Sequence, residues 1–273
     1  MIYKLLKPTE ILSPFVHFYW ILEIDSSLAL SAKQRIIPNG CVELIFHFGD
    51  RLKTIFPNKN PEQQPQSLIS GQSTRFYDVE QCGKTGMLSI LFKPHGARMF
   101  FDLPICDITN QNVDLSLLGR QFAPELTEKI ALAGNHETRI SIIVENHLIS
   151  KLTDKHLYNS QRLSRTIEII NHQKGLVSVS ELASIACLSQ KQYNSIFHDF
   201  VGLHPKEFLK IVRLQYVFHH HKHQPNESLT QIAYACGYYD QAHFVNDFRS
   251  LTGFTPKQCF TKCKSESDYF LEI

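Results

Sequence analysis

The stretch GYYDQAHFVNDF, residues 237–248, predicts a tight turn followed by a helix. Gly237 suits a turn with positive φ, and Asp240 is a residue type that accepts the first backbone N–H groups of a helix. Phe244 and Phe248 follow at a spacing of four, so they share a helix face that we expect to be buried. The outer positions of this helix carry Gln241, Ala242, Val245, Asn246 and Arg249.

A degenerate copy of this stretch occurs about 50 residues earlier in the chain. Ala183 matches Ala233 at an offset of 50, whereas Phe197 matches Phe248 at an offset of 51, so one residue has been added in the second turn. Each copy has a short helix with a small residue, a turn and a second helix with apolar residues at i+3 and i+4 steps. The repeat predicts two helix-turn-helix units, at about residues 179–202 and 229–253.

Polar residues mark where the helices of both units begin. We predict Ser180 and Thr230 as the N-caps of the first helices, and Ser189 and Asp240 as the N-caps of the second helices. Between the units, Pro205 opens a helix over residues 205–221, which is roughly 25 Å long at 1.5 Å per residue. Such a helix would hold the two units at a fixed separation.

The outer faces of both second helices carry side chains that can read base edges. Gln and Asn bond adenine in a bidentate manner, Lys donates to guanine, and Ala or Val meets a thymine methyl group, while Lys and Arg also bind phosphate. We therefore predict double-stranded DNA as a partner. The candidate contact residues are Gln190, Lys191, Asn194, Ser195 and His198 in the first unit, and Gln241, Ala242, Val245, Asn246 and Arg249 in the second.

Charge supports a polyanionic partner for the C-terminal part of the chain. The 273-residue chain has a net charge of +2, but residues 161–264 hold twelve Lys and Arg against seven Asp and Glu, together with eight His. Residues 1–160 hold sixteen of each sign. This asymmetry favours nucleic-acid binding by the region that carries the repeat.

The first part of the chain reads as strands. Runs such as FVHFYWILEI (residues 15–24), CVELIFHFG (residues 41–49) and MLSILFKP (residues 87–94) are rich in β-branched and aromatic residues and are separated by turn signals. From about Asp114 the spacing becomes helical. Ile140, Val144 and Leu148 form an apolar stripe that covers either the sheet of its own domain or a dimer interface. A polar linker is predicted over Thr153–Gln161.

The paired units, LASIACLS…VGLHPKEF and IAYACGYYDQAHFVNDFRSLTGFTP, resemble the DNA-binding domain of AraC/XylS-type bacterial transcription regulators over about residues 162–264. The motifs IIPNGCVELIFHFGD, ISGQS and LFKPHGARMFF resemble the cupin-like companion domain of some family members. The resemblance implies an α+β protein: a β-rich cupin-like barrel or sandwich with trailing helices at residues 1–155, then an all-α domain at residues 162–264. It also implies a sensory role, with a small-molecule effector and a second copy of the chain as candidate partners.

Two other function classes remain open as alternatives. The second unit's face could bind a protein instead of DNA, and a cupin-like sheet with Glu43, His47 and His95 could hold a catalytic metal. Those three residues are scattered in sequence without an HxH arrangement, and HHHKH, residues 219–223, suits a helix end better than a chelate. The seven cysteines form no CxxC pair, which argues against a zinc site. No cofactor, enzyme activity or membrane partner is predicted, and a cytoplasmic location is expected.

Overall fold

The computed structural model describes residues 1–25, 33–122, 124–136 and 138–262. A β-rich part comes first and is followed by helices, so the predicted α+β fold with two parts is confirmed. The described strands are β1 (Ile2–Leu6), β2 (Val16–Ile24), β3 (Lys33–Ile36), β4 (Glu43–His47), β5 (Lys53–Ile55), β6 (Glu62–Gln63), β7 (Ser67–Ser70), β8 (Tyr77–Glu80), β9 (Thr85–Phe92) and β10 (Asn112–Asp114).

These strands form two antiparallel sheets. The first has the order β1-β2-β9-β4-β7-β10, and the second has the order β3-β8-β5-β6. The register places Ile21 opposite Leu88 and Leu44 opposite Ile90. The three apolar runs read from the sequence thus become β2, β4 and β9, neighbours at the centre of the first sheet, because β-branched and aromatic residues fit a pleated, buried surface.

Alternation along these strands gives the first sheet two different faces. Leu44 and Ile90 belong to a core that also contains Ile140, Val144 and Leu148. The apolar stripe therefore covers the sheet of its own domain, and the dimer-interface alternative for this stripe is wrong. The segment that carries it is π-helical over Thr138–Glu145 and continues as helix α2 (Asn146–Lys151), after helix α1 (Pro124–Leu132).

The opposite face of the first sheet looks toward the second sheet. Trp20, Glu43 and Met87 on the first sheet line the same cavity as Ile36 and Tyr77 on the second. Successive side chains of a strand point to opposite faces, so these residues face away from the core that contains Leu44 and Ile90. The cavity therefore lies between the two sheets.

The C-terminal part is built from seven described helices around one core. Buried residues from both units and from the long helix between them belong to a single cluster that includes Phe197, Leu214 and Phe248. The helices are α3 (Leu157–His172), α4 (Val179–Ile185), α5 (Gln190–Val201), α6 (Pro205–His223), α7 (Leu229–Ala235), α8 (Gln241–Thr252) and α9 (Pro256–Lys262). Within the described residues, no helix combines the length and apolar character needed to cross a membrane.

The linker prediction is wrong in its second half. A short 3₁₀ turn occupies Asp154–His156, and α3 begins at Leu157. The segment is polar in composition, yet it forms part of an amphipathic helix. Ser160 and Leu163 are both buried on the inner face of this helix. The predicted domain limits, residues 1–155 and 162–264, stay a prediction, and residues 263 and 264 lie outside the described residues.

Candidate DNA-binding surface

The first helix-turn-helix unit consists of α4 and α5. The Ser178 hydroxyl accepts a hydrogen bond from the backbone N–H of Glu181 over 3.1 Å and caps α4. Ser189 forms a capping box with Gln192 at the start of α5, as predicted for this N-cap. Gly202 ends α5 with φ of 85°, in the left-handed region. Both ends of the second helix are thus fixed by local bonds.

The second unit, α7 and α8, repeats this arrangement. Ser228 forms a capping box with Gln231 at the start of α7. Asp240 Oδ1 accepts from the backbone N–H of His243 over 2.7 Å and caps α8, as predicted. Gly253 ends α8 with φ of 74°. The two units therefore share their caps as well as their apolar spacing.

The predicted N-caps Ser180 and Thr230 are wrong. Each first helix begins two residues earlier, at Ser178 and Ser228, because a serine followed three residues later by Glu or Gln satisfies the first free N–H groups. Ser180 instead bonds Ser178 through its hydroxyl. Thr230 donates to Gln241 Oε1 over 3.0 Å, which orients a candidate contact residue of α8.

The added residue of the second unit is Tyr239. Cys187 and Gly237 occupy the same turn position at an offset of 50, with φ of 54° and 73°. The backbone bonds from Leu188 N to Ala183 O and from Tyr238 N to Ala233 O also match at 50. Since the N-caps Ser189 and Asp240 match at 51, the insertion falls between Tyr238 and Asp240. Tyr239 is 86% exposed beside the start of α8.

Sequence reasoning did not select Tyr239 as a candidate contact. Its phenol is an exposed hydrogen-bonding group at the helix end that carries Gln241. The offset between matching residues of the two units changes from 50 to 51 at this turn, and that change could have indicated Tyr239.

The inner face of each second helix is closed by aromatic rings. Tyr193, Phe197, Phe244 and Phe248 are each fully buried. Tyr193 also donates its hydroxyl to Thr166 Oγ1 over 3.1 Å, inside the core. These rings fix which sides of α5 and α8 remain available to a partner.

Most of the candidate contact residues lie on those remaining sides. Three of the ten are half-buried: Asn194, Val245 and His198. Val245 packs against the C-terminal core. Among the described residues, neither Lys191 nor Arg249 forms an ion pair. The seven exposed candidates are Gln190, Lys191, Ser195, Gln241, Ala242, Asn246 and Arg249.

His243 lies beside these residues but is directed along its own helix. Its Nε2 is 3.4 Å from Asp247 Oδ2, and Lys210 Nζ of α6 is 3.3 Å from Asp247 Oδ1. The carboxylate therefore joins α6 to the outer part of α8. This arrangement separates His243 from the base-reading candidates.

His198 occupies a less accessible place than the other candidates of α5. Its ring stacks on the ring of His204, with centroids 4.2 Å apart. Partial burial and the neighbouring His204 lower the pKa of His198, while the carboxylates of Glu207, Asp107 and Asp199 act in the opposite direction. At neutral pH a lowered pKa leaves His198 uncharged, so it lacks the charge that favours phosphate binding.

The N-terminal part contacts the end of the first unit. Thr109 Oγ1 donates to the carbonyl oxygen of Gly202 over 2.6 Å, directly after α5. Arg98 Nε lies 3.2 Å from Asp199 Oδ2, and Arg98 also donates to the carbonyl of Phe101. The last turn of α5 is therefore attached to the segment that follows β9.

The N-terminal part also contacts the end of the second unit. The backbone N–H of Phe76 donates to Leu251 O over 2.9 Å, and Arg35 Nη1 donates to Thr252 O over 3.2 Å. The Arg35 guanidinium lies over the rings of Phe76 and Phe254, at 4.0 and 4.1 Å from their centroids. Both second helices are thus held at their C-terminal turns.

A third contact reaches the helix between the units. Gln215 Nε2 on α6 donates to the carbonyl oxygen of Pro38 over 2.6 Å. A Cβ atom on Gly40, whose φ is +78°, would lie 2.8 Å from Phe208 Cε2, so the loop after β3 packs closely on α6. These contacts were absent from the sequence-based predictions.

The histidines of residues 219–223 make separate contacts. His220 Nε2 is 2.8 Å from Glu227 Oε2, His221 stacks on Phe260 with centroids 3.8 Å apart, and His223 bonds the carbonyl of His219. Among the described residues, no group of three or more His, Cys, Asp or Glu side chains is placed to hold a metal ion.

The three residues considered for a cupin metal site are also engaged apart from one another. Glu43 accepts from Trp20, His47 bonds Gln64 Oε1 over 2.8 Å, and His95 is buried at another place in the fold. The structure does not bring them together as one ligand set.

Family comparison assigns both parts of the chain. Residues 182–262 match the model of a helix-turn-helix domain, and residues 4–114 match a domain of unknown function, DUF6597. The C-terminal region is a helix-turn-helix domain. The match to this helix-turn-helix domain spans α5 and α8, which carry all ten candidate contact residues.

Named relatives of the chain are transcription regulators rather than enzymes. The transcriptional activator RhaS from Enterobacter sp. (strain 638) is 29% identical over 154 residues, which are 55% of this chain and 54% of RhaS. The probable transcriptional regulator LumQ from Photobacterium leiognathi is 33% identical over 92 residues, 32% of this chain and 35% of LumQ. The chain thus spans about half or less of the length of these relatives.

Among solved structures, ToxT from Vibrio cholerae O395 superposes with a TM-score of 0.44 at 10% identity, covering 89% of this chain and 96% of ToxT.

Proposed function

We propose that the chain is a sequence-specific DNA-binding transcription regulator whose helices α5 and α8 enter adjacent major-groove segments of double-stranded DNA. The observation that carries this proposal is the repeated, equally capped helix-turn-helix, with buried aromatic rings on one side of each second helix and exposed polar groups on the other. The 19 residues of α6 span about 28 Å at 1.5 Å per residue. That length is comparable to the roughly 34 Å between successive major grooves on one side of B-DNA.

The candidate contacts divide into two roles. Gln241 and Asn246 have amide groups that pair with adenine edges, and Ala242 and the half-buried Val245 offer apolar contact to thymine methyl groups. Arg249 is a cation available for a phosphate. In the first unit, Gln190, Lys191, Asn194 and Ser195 take the corresponding positions, with His198 at the edge of the surface.

Regulation would act through the contacts between the two parts of the chain. Both second helices end on residues held by the N-terminal part, at Gly202 and Thr252. A small molecule or a second copy of the chain that binds the N-terminal part more tightly in one arrangement of these contacts shifts how the two units meet DNA. The proposal also implies a cytoplasmic location, with access to the chromosome.

The decisive experiment selects genomic DNA fragments with the purified full chain and measures affinity against salt concentration. A motif with two parts about one helical turn apart, and a steep fall in affinity with salt, is the expected result. Asn246→Ala should change the selected motif, whereas Asn171→Ala, which removes another exposed asparagine on α3, should leave it unchanged.

A different outcome would favour the alternative function. If the full chain enriches no motif over random fragments, and Asn246→Ala instead abolishes capture of a protein partner, the exposed face of α8 is a protein-interaction surface. That result would overturn the DNA-binding proposal.

A further inference from the structure

The cavity between the two sheets of the N-terminal part has the character of a ligand site. Its volume is about 270 Å³. Trp20, Ile36, Ile45, Tyr77 and Met87 give it a largely apolar lining. Pockets for drug-sized ligands run from about 300 to 1,000 Å³, so this cavity suits a smaller molecule.

One acidic side chain, Glu43, lies in this apolar lining. Trp20 Nε1 donates to Glu43 Oε1 over 2.6 Å, and the Ser89 hydroxyl donates to the same oxygen. Two donors thus meet one carboxyl oxygen, which fixes the carboxyl group at the inner face of the first sheet. Glu43 is enclosed by protein yet keeps part of its surface accessible from the cavity.

A second polar group in the lining lacks a partner among the described residues. The Thr85 hydroxyl oxygen is buried and forms no hydrogen bond with them, and Thr85 is 2% exposed. Buried polar groups in folded proteins are almost always satisfied. Thr85 thus adds a second polar group to the otherwise largely apolar lining.

The charged groups of the lining indicate which kind of molecule the cavity can bind. No described lining residue carries a Lys, Arg or His side chain, and Met1, which also lines the cavity, is 63% exposed. Burial raises the pKa of Glu43, and the hydrogen bonds from Ser89 and Trp20 act in the opposite direction. An ionised carboxylate in an apolar cavity is costly unless a cation pairs with it, and a second carboxylate would be repelled.

We propose that this cavity binds a small apolar amine, with its hydrocarbon body between the two sheets and its ammonium group hydrogen-bonded to Glu43. The ammonium donates to the carboxylate, and the apolar lining buries the body of the ligand. Ligands with a carboxylate in place of the amine are excluded. As an effector site this proposal rests on the proposed function, but binding itself does not.

Strands β3 and β8 connect the cavity to the contact with α8. On β3, Ile36 lines the cavity while Arg35 donates to Thr252 at the end of α8. On β8, Tyr77 lines the cavity while Asp78 pairs with Arg35 over 2.8 Å. Because neighbouring residues of a strand point to opposite faces, a ligand that shifts the inner side chains also shifts the contact with α8.

The test measures binding to the full chain without DNA. The probes are hexylamine, 2-phenylethylamine and cyclohexylmethylamine, each compared with the carboxylate of matching carbon skeleton. Trp20 is the single tryptophan of the sequence, so its fluorescence reports directly on the neighbourhood of Glu43. Calorimetry in two buffers of different ionisation enthalpy detects a proton released when the amine ionises Glu43.

At least one amine should bind and change the Trp20 emission, at least tenfold more tightly than its matched carboxylate. Glu43→Gln keeps the size of the side chain and should weaken the amine at least tenfold. Glu62→Gln, an exposed acid on β6, should leave binding unchanged. Thermal melts of both variants check that the fold is intact.

Three results would overturn the proposal: no binding by any of the amines, equal binding of amines and carboxylates, or full affinity in a folded Glu43→Gln chain. If the full chain binds an amine but selects no DNA motif, that result would count against the proposed function and not against the amine site. If the amine binds, its effect on DNA affinity should disappear in Arg35→Ala.

Discussion

Arg35 on β3 donates a hydrogen bond to the carbonyl oxygen of Thr252, 217 residues later, and so joins the N-terminal sheet to the last turn of α8. The same guanidinium pairs with Asp78 and lies between the rings of Phe76 and Phe254. Arg35 thus adds a side-chain contact to the backbone bond between Phe76 and Leu251 that also joins the second unit to the N-terminal part. Its position makes the attachment of α8 separable from that of α5.

Arg35→Ala should loosen the second unit while leaving the first unit attached. Loss of a charge-assisted hydrogen bond and of two ring contacts should cost about 1–3 kcal/mol. Hydrogen exchange should therefore speed up around Leu251–Gly253 and stay unchanged around Gly202. Lys33→Ala removes an exposed cation of the same strand and is the control. Equal protection in both variants would show that Arg35 does not hold α8.

Phe248→Ala should strongly destabilise the C-terminal helices. Phe248 is fully buried and packs against Phe218, Phe244 and Phe260. Truncation of a buried Phe costs about 3–5 kcal/mol because a cavity is left behind. Urea denaturation measures the free energy of unfolding, with the adjacent exposed Arg249→Ala as the comparison. An unchanged unfolding midpoint would mean that the inner face of α8 has been misassigned.

Asn246→Ala and Arg249→Ala should affect DNA binding in different ways. Loss of an amide that contacts a base edge costs about 1–3 kcal/mol and relaxes the preference at that base pair, whereas loss of a phosphate contact weakens all sequences alike. Arg249→Ala should also reduce the slope of log affinity against log salt by about 1. Binding measured on a panel of single-base variants separates these effects. Uniform weakening by Asn246→Ala would move Asn246 to the phosphate-contacting class.

Stability should fall as the solution is acidified through the range in which His95 titrates. Burial and the nearby Lys93 lower the pKa of His95 to about 4, while a backbone hydrogen bond to Pro14 acts in the opposite direction. Between about pH 6.5 and pH 4 the unfolded chain binds more protons than the folded chain, so the free energy of unfolding decreases as pH falls. The contribution of His95 is at most about 3 kcal/mol.

His95→Gln removes this titration and is the matched variant. Urea unfolding at pH 7 and at pH 4.5 should show a smaller decrease for the variant than for the unmodified chain. His17, whose pKa is also lowered to about 4, still titrates in both chains. Equal pH dependence in the two chains would contradict the buried, neutral state of His95.

The repeat could be predicted from the sequence because its spacing encodes which side of each helix is buried. Phe197, Phe248, Gly202 and Gly253 occupy the places that their offsets indicate. The helix starts were predicted two residues too late at Ser180 and Thr230. The Ser-x-x-Glu and Ser-x-x-Gln patterns at Ser178 and Ser228 were the better signal.

The cavity and the contacts between the parts could not be predicted in this way. Trp20, Glu43 and Ser89 meet only because β2, β9 and β4 pair in one particular register. Likewise, nothing near Arg35 in the sequence indicates Thr252. Such contacts depend on long-range pairing, and a single sequence carries no local pattern for them.

Tyr239 makes the two helix-turn-helix units structurally different from each other. The insertion occurs in the second unit alone. The exposed faces of α5 and α8 therefore cannot be exchanged by a two-fold rotation. A single chain would therefore read a site that is not its own inverted repeat, and would sit on it in one orientation. Turning the site around on the chromosome would point the N-terminal part toward the opposite flank.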